Sequence, residues 1–280
     1  VTVRRAFLLV FALLGMTRAT TLAWRQLAPG LEFARWRVAY YDSASGRGFC
    51  RMGEPRVAVL RIAPSRWRFE VLHYSLRGPD AKPLTVEEWQ DSTRASVVFN
   101  AGQYYSDFSY MGLLINGNQE FSMKQHPQWQ GLFVAEPTRK GPSKAKVVDL
   151  KYEGFQLSST PYTQIAQSFM LFDQTGKKRV KQGDWVANRT AVAQDRQGRL
   201  LVFVSEGGFT IWDFARLLQT SGLNLVKAMS MDGGYESELA VKTNSFNYTT
   251  YGQWETNDYG DISLPGINMP LPAVIAVYPR

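Results

Sequence analysis

The stretch Asn188 to Ser237, "NRTAVAQDRQGRLLVFVSEGGFTIWDFARLLQTSGLNLVKAMSMDGGYES", decides the fold. Two apolar runs, Ala191 to Gln194 and Leu200 to Ser205, flank Asp195-Arg196-Gln197-Gly198, a spacing that predicts a β-hairpin. Thr210-Ile211-Trp212-Asp213 has the capping-box pattern of a helix start; Phe214, Leu217 and Leu218 then share one helical face, and Gly222 is placed to end the helix. Leu223 to Met231 returns as a buried strand that stops abruptly at Asp232-Gly233-Gly234. The order hairpin, helix, strand delivers a carboxylate to a strand exit.

Upstream, Trp36 to Tyr41, Val57 to Ile62 and Trp67 to Tyr74 read as strands. Thr85-Val86-Glu87-Glu88 is a second capping box, predicting a short helix that ends before Ala95. Ser96 to Phe99 is a compact apolar strand that terminates in Asn100-Ala101-Gly102-Gln103-Tyr104-Tyr105, a candidate cleft rim. Gly112 to Asn118 runs into an Asn-Gly turn, Gly131 to Ala135 reads as a further strand, and residues 136–150 read as a loop. From Lys242 to Pro270 the chain reads as one long loop carrying Phe246, Tyr248, Tyr251, Trp254 and Tyr259, aromatics that either stack on sugar faces or pin the loop down. Pro272 to Tyr278 closes the chain as a strand.

A hydrophobic content of 45% with 20% charged residues over 280 positions describes a folded chain with a substantial core. The formal charge of +8 permits an anionic polymer as partner. No Lys/Arg tract is long enough to read as a nucleic-acid site: the densest, Lys177 to Lys181, reads as a solvated loop. Arg4 and Arg5 precede the apolar run Ala6 to Met16 and the small-residue site Thr17-Arg18-Ala19, so residues 1–19 read as an export signal. The protein is then periplasmic or secreted, and it meets a membrane only through that segment if it stays uncleaved. Cys50 is the only cysteine, which excludes an intrachain disulfide, and with only His73 and His126 beside it a His/Cys zinc site and a Ser-His-Asp triad are both disfavoured.

Three segments in order, "VFNAGQYYSDFSYMGLLINGNQ", "IAQSFMLFDQTGKK" and the opening stretch, resemble the phosphodiester glycosidase family, and in particular its bacterial exported branch. The resemblance rests on an Asn-Ala-Gly-x-Tyr segment, a Gln-Ser segment, an Arg-x-x-Val hairpin and a strand ending in Asp-Gly. It spans roughly residues 95–240. It implies a single α/β (α+β) domain, residues 20–280, with a mixed, largely antiparallel β-sheet core flanked by helices and motif-bearing strand ends lining one cleft. It also implies hydrolysis of a sugar-1-phosphodiester in a glycan or cell-envelope polymer, with no cofactor. Two positions depart from the family: Phe169-Met170 stands where Gly-Pro is usual, and Tyr235-Glu236 where Gly-Ser is usual. These departures keep a second reading open, a non-catalytic glycan-binding protein on the same scaffold.

Such a reaction needs a carboxylate near the anomeric carbon and fixed positive charge near the phosphate. Asp232 suits the first role, as nucleophile or as base for a water; its alternative is to hold the turn through backbone amides. Arg189 suits the second, because a guanidinium offers forked, permanently charged donors. Glu206, before Gly207-Gly208, is a candidate second carboxylate facing Asp232. Asn100 and Gln167 are candidates to bond sugar hydroxyls, and Gly102, Tyr104, Ser168, Gly233, Gly234 and Ser237 complete the expected substrate contacts. Glu236 and Glu238 alternate and so face one way if the strand continues, where with Asp232 they could hold Ca²⁺.

Overall fold

The computed structural model describes residues 22–117, 119–256, 262–263 and 268–280; the expected export signal, Asn118 and Tyr259 lie outside the described residues. The strand Arg189–Asp195 runs between Leu200–Thr210 and Leu225–Gly233 and is antiparallel to both, with Val192 opposite Val202 on one side and Met229 on the other. Its two neighbours therefore point the same way, and the helix Ile211–Gln219 carries the chain from one to the other over the inserted strand. The sheet continues outward from Leu200–Thr210 through Met52–Ile62, Leu31–Arg37 and Arg25–Ala28. At its opposite edge Met170–Phe172 pairs with Leu225–Gly233, and the far end of Leu200–Thr210 pairs with Val186–Ala187, which is followed by Glu255–Thr256 and Ile262–Ser263.

A five-stranded sheet has the order Gln119–Ser122, Leu114–Asn116, Tyr162–Ser168, Gly131–Pro137, Ala145–Asp149. Another has the order Phe246–Thr250, Leu239–Thr243, Val97–Asn100, Ala273–Pro279, Trp67–His73. All three sheets turn a face into one core, where Leu60, Phe69, Phe99, Phe133, Val202, Met231 and Ile275 are fully buried. Burial of this apolar surface is the main favourable term in folding and fixes register, since a one-residue slip would expose an entire face.

The architecture is largely β, a correction to the expected helix-flanked α/β domain. The described residues hold two α-helices, Val86–Thr93 and Ile211–Gln219, and every strand pair is antiparallel, leaving one isolated parallel bridge at Tyr40 and Cys50. The sheets cover one another, so few helices are needed to bury them. Both helices start as their sequences dictate. Thr85 and Glu88 exchange both capping-box bonds; Thr210 accepts from the Asp213 amide, while the Asp213 carboxylate turns to Arg51 at 2.7 Å and Arg216 at 3.0 Å.

Three local readings change. The strand expected over Trp36 to Tyr41 is instead Leu31–Arg37, whose buried positions begin at Leu31, and Arg25–Ala28 precedes it. Residues 136–150 contain the strand Ala145–Asp149, which the neighbouring Pro, Gly and Lys residues conceal. Lys242 to Pro270 is not one loop: Leu239–Thr243 and Phe246–Thr250 form a hairpin, with Phe246 and Tyr248 packed on Phe33 at 4.9 and 4.8 Å.

The basic run Lys177 to Lys181 is only partly solvated. Arg179 reaches inward to Asp149 at 3.2 Å and Asp173 at 3.6 Å, both carboxylates fully buried, and so ties the edge of a five-stranded sheet to the ten-stranded one. Replacing Arg179 by Met leaves two buried carboxylates without their counter-charge and is expected to cost about 3–5 kcal/mol in a denaturant titration.

Candidate active site

The strand Val97–Asn100 ends against the exit of Leu225–Gly233, and Asn100 joins them. Its amide nitrogen donates to the carbonyls of Asp232 at 3.0 Å and Ala101 at 3.2 Å, while Oδ1 accepts from the Thr190 hydroxyl at 2.8 Å and the Glu238 amide at 3.2 Å. The Asp232 amide returns a bond to the Ala101 carbonyl at 3.0 Å. Gln167 is used in the same way: Oε1 accepts from the amides of Leu113 and His126, and Nε2 donates to the carbonyls of His126 and Trp129. Both side chains are buried and their bonding capacity is filled, so neither is available to a sugar hydroxyl as the sequence suggested.

Gly102 is also structural. A Cβ there would stand 2.5 Å from the Tyr110 hydroxyl, which instead accepts the Gly102 amide at 3.0 Å. Ser168 is buried and donates to Gln103 at 3.0 Å, and Gln103 in turn donates to the Met231 carbonyl. Ser237 is buried with its hydroxyl 3.5 Å from the Asp232 carbonyl. These expected substrate contacts form the frame beneath the site.

What the frame presents is a group of charges. Asp232 is half-buried, its Oδ1 accepting from the Gly233 amide at 2.9 Å. Glu236 lies on the short turn Gly234–Glu236 and accepts from the Tyr104 hydroxyl at 2.9 Å. Glu255 lies over Gly234, where φ is +71° and a Cβ would come 2.3 Å from its Oε2, so this position requires glycine twice over. Arg189 stands opposite Gly233 in register; Nε donates to the Phe209 carbonyl at 3.0 Å and Nη2 to the Trp185 carbonyl at 2.8 Å. Its Nη1 has no acceptor among the described residues and would stand 3.3 Å from a Cβ at Gly233.

Burial, then the charges of Glu236 and Glu255, push Asp232 well above the usual carboxylate range against the opposing pull of the Gly233 amide and Arg189. Burial likewise raises Glu236, opposed by the Tyr104 hydrogen bond, and raises Glu255, with Glu236 adding to the effect. Burial lowers Arg189 to about 10, with Glu255 and Asp232 opposing, so it stays charged at neutral pH. The Arg189 charge acts on Asp232 and Glu255, and the Glu236 charge raises both.

Glu206, expected to face Asp232 as a second carboxylate, instead forms a forked ion pair with Arg35 and accepts from the Tyr248 hydroxyl at 2.8 Å. Glu255 is the residue that sequence reasoning missed. Asn188 positions it: Oδ1 accepts from the amides of Gln253 and Trp254 at 2.8 and 2.7 Å, while Nδ2 donates to the Ser205 carbonyl at 2.7 Å. No local pattern marks either residue.

The calcium reading also changes. Glu238 turns away from Glu236 to accept from the Met269 amide at 3.0 Å, and the described residues contain no group of three or more His, Cys, Asp or Glu arranged to hold a metal ion. Of the two departures from the family pattern, Met170 is buried in the core, whereas Glu236 enters the charged group itself. Trp254 lies against Gly53, and Tyr251 packs with the cluster around Trp89, so these aromatics anchor their segment.

A half-buried carboxylate at a strand exit, beside further carboxylates and a guanidinium with an open donor, is the equipment of an acid-base hydrolase. The chain belongs to the phosphodiester glycosidase family, whose model matches residues 93–277. Among solved structures it is similar to the catalytic domain of zebrafish N-acetylglucosamine-1-phosphodiester alpha-N-acetylglucosaminidase, auto-inhibited by its pro-peptide. That match has 18% identity and a TM-score of 0.62, over 91% of this chain and 86% of the other. It is also similar to a hypothetical protein from Synechocystis, at 14% identity and a TM-score of 0.61, over 94% of this chain and 64% of the other. These likenesses establish the fold. No curated protein matches the sequence.

Two predictions follow from the frame. Gln167→Leu strands four backbone groups and is expected to lower unfolding free energy by about 2–4 kcal/mol in chemical denaturation. Burial raises Glu238 from 4.5 to about 8, so the folded state holds its proton more tightly than the unfolded state does. Its stabilising contribution is complete below about 4.5 and is lost as pH rises through 8. Glu238→Gln is expected to flatten the fall in denaturation midpoint between those limits.

Proposed function

We propose that the protein is an exported glycosidase that hydrolyses sugar-1-phosphodiester linkages in glycans or cell-envelope polymers. The observation that carries this reading is the register that sets Arg189 opposite Gly233, the residue after Asp232, which brings a carboxylate and an open guanidinium nitrogen to neighbouring strand ends. Export rests on Arg4, Arg5, the apolar run Ala6 to Met16 and Ala19.

In this reading Arg189 receives the phosphate and the anomeric carbon lies toward Asp232. A carboxylate raised toward neutrality is better matched to proton transfer than an ordinary one, so Asp232 takes a proton from the attacking water. The new C1–O bond forms as the bond from C1 to the bridging oxygen breaks. The bonding pair leaves with the phosphomonoester, whose added charge Arg189 stabilises. Phosphate departs readily, which lessens the need for acid assistance at the leaving oxygen.

Asp232→Asn is expected to lower release of reducing sugar from a synthetic sugar-1-phosphodiester by at least about 10³-fold. Its thermal midpoint should be unchanged or higher, since a strained charge is removed. Glu206→Gln should keep turnover within about tenfold and lose stability through Arg35, the reverse pattern. Saturable glycan binding by the unaltered protein without any turnover would favour the non-catalytic reading.

A further inference from the structure

We propose that Tyr105 and Phe108, at the tip of the hairpin that also carries Tyr104, form a shelf for a second, uncharged pyranose ring of a glycan held in this site. The attachment of that ring to a sugar-1-phosphodiester rests on the hydrolase reading; the shelf rests on the geometry alone.

The hairpin follows the end of Val97–Asn100, at the rim of the charged group. The Met111 amide donates to the Gln103 carbonyl at 2.8 Å, Tyr104 bridges Tyr110, and the Tyr105 amide donates to the Ser109 carbonyl at 2.8 Å. Ser106, Asp107 and Phe108 remain as a three-residue tip, closed by the Phe108 amide on the Tyr105 carbonyl at 2.8 Å. A tip of this kind ends in a left-handed residue, a position suited to glycine. Here φ is +66° and the residue is phenylalanine. Bulky side chains rarely adopt that conformation, so the backbone accepts strain to place a ring there.

That ring is supported and still open. Its centroid lies 6.0 Å from that of Tyr104 and 6.1 Å from that of Tyr74, which in turn packs on His73 at 4.6 Å. His73 also fixes the tip: Nδ1 accepts from the Ser75 amide at 3.4 Å, which leaves the hydrogen on Nε2 to reach the Phe108 carbonyl at 3.3 Å. Phe108 nonetheless remains 40% exposed and Tyr105 51%. A ring that served only to anchor the loop would be covered, and glycine would close the turn with less strain. Asp107, between the two aromatics, gives Oδ1 to the Ser109 amide at 3.0 Å and the Ser109 hydroxyl at 2.6 Å, while no described side chain donates to Oδ2. Two open rings beside an open carboxylate oxygen suit the apolar CH face and the hydroxyls of a pyranose. The same carboxylate disfavours a second phosphate, so the ring it takes is uncharged. Tyr104 joins the shelf to the chemistry, because its ring neighbours Phe108 and its hydroxyl donates to Glu236 at 2.9 Å. The shelf begins one ring beyond the charged group.

Saturation-transfer NMR with maltotriose, cellotriose and chitotriose reads the shelf without turnover. At least one of the three is expected to bind saturably, and Phe108→Gly and Tyr105→Ala should each weaken that binding about tenfold. The thermal midpoint of Phe108→Gly should be nearly unchanged, since relief of the left-handed strain offsets the lost ring contacts. A lowered midpoint with binding intact would show an anchor and overturn the proposal, as would saturable binding of none of the three. With synthetic methyl phosphodiesters of the sugar that binds, the preference in kcat/KM for the disaccharide over the monosaccharide should fall toward one in both variants. An unaltered preference would overturn the shelf while leaving the hydrolase standing. Binding lost in both variants of a protein that cleaves no sugar-1-phosphodiester would leave the shelf standing and sink the hydrolase reading.

Discussion

The side-chain amide of Asn100 is the constraint on which the rest of the site depends. Four hydrogen bonds use all its capacity, and they reach the exit of its own strand, the start of Arg189–Asp195, the end of Leu225–Gly233 and the chain beyond the turn at Glu238. Two sheets meet at that one buried group. Gln167 and Asn188 repeat the device, one closing the segment from His126 to Trp129, the other drawing in Gln253 to Glu255. Deleting any of them would orphan several backbone groups at once, which makes these contacts far more exacting than surface hydrogen bonds. A catalytic group needs supports of this kind to be held within a fraction of an ångström.

The central hairpin, helix and strand were legible because each signal was local: alternation, a turn tetrapeptide, a capping threonine. The class was not local: the resemblance implied a sheet flanked by helices, yet here the one central helix bridges two strands around an antiparallel third. The other sheets are built from short runs joined by turns, and their mutual packing is a tertiary fact. The strand Ala145–Asp149 and the hairpin around Thr243 were hidden because polar and glycine-rich neighbours dilute the apolar pattern. Phe246 and Tyr248 are partly buried against a core that includes Phe33, more than two hundred residues away.

At the site, the positions were more legible than the roles. Arg189 stands in register opposite Gly233, the residue after Asp232, while the Asn100 and Gln167 side chains are filled by other partners and the Gly102 amide by the Tyr110 hydroxyl. A sequence shows an amide; it does not show that four backbone or hydroxyl partners already fill it. Glu206 looked like the second carboxylate because it precedes two glycines, yet the Arg35 guanidinium and the Tyr248 phenol engage it. Glu236 and Glu238 alternate in sequence, and the short helical turn at Gly234–Glu236 breaks the period that would have aligned them.

The excess of buried carboxylate explains why the frame is so rigid. Asp232, Glu236, Glu238 and Glu255 are all held above their ordinary range, so each binds its proton more tightly in the folded state and each weakens the fold as pH rises. A loosely built site would relieve that repulsion by letting the strand exits splay and water enter. The saturated amides prevent this, because opening the cleft would break several buried hydrogen bonds together. Burial first, and repulsion after it, are therefore retained as raised proton affinity at the strand exit. That is the property a carboxylate needs to accept a proton near neutral pH.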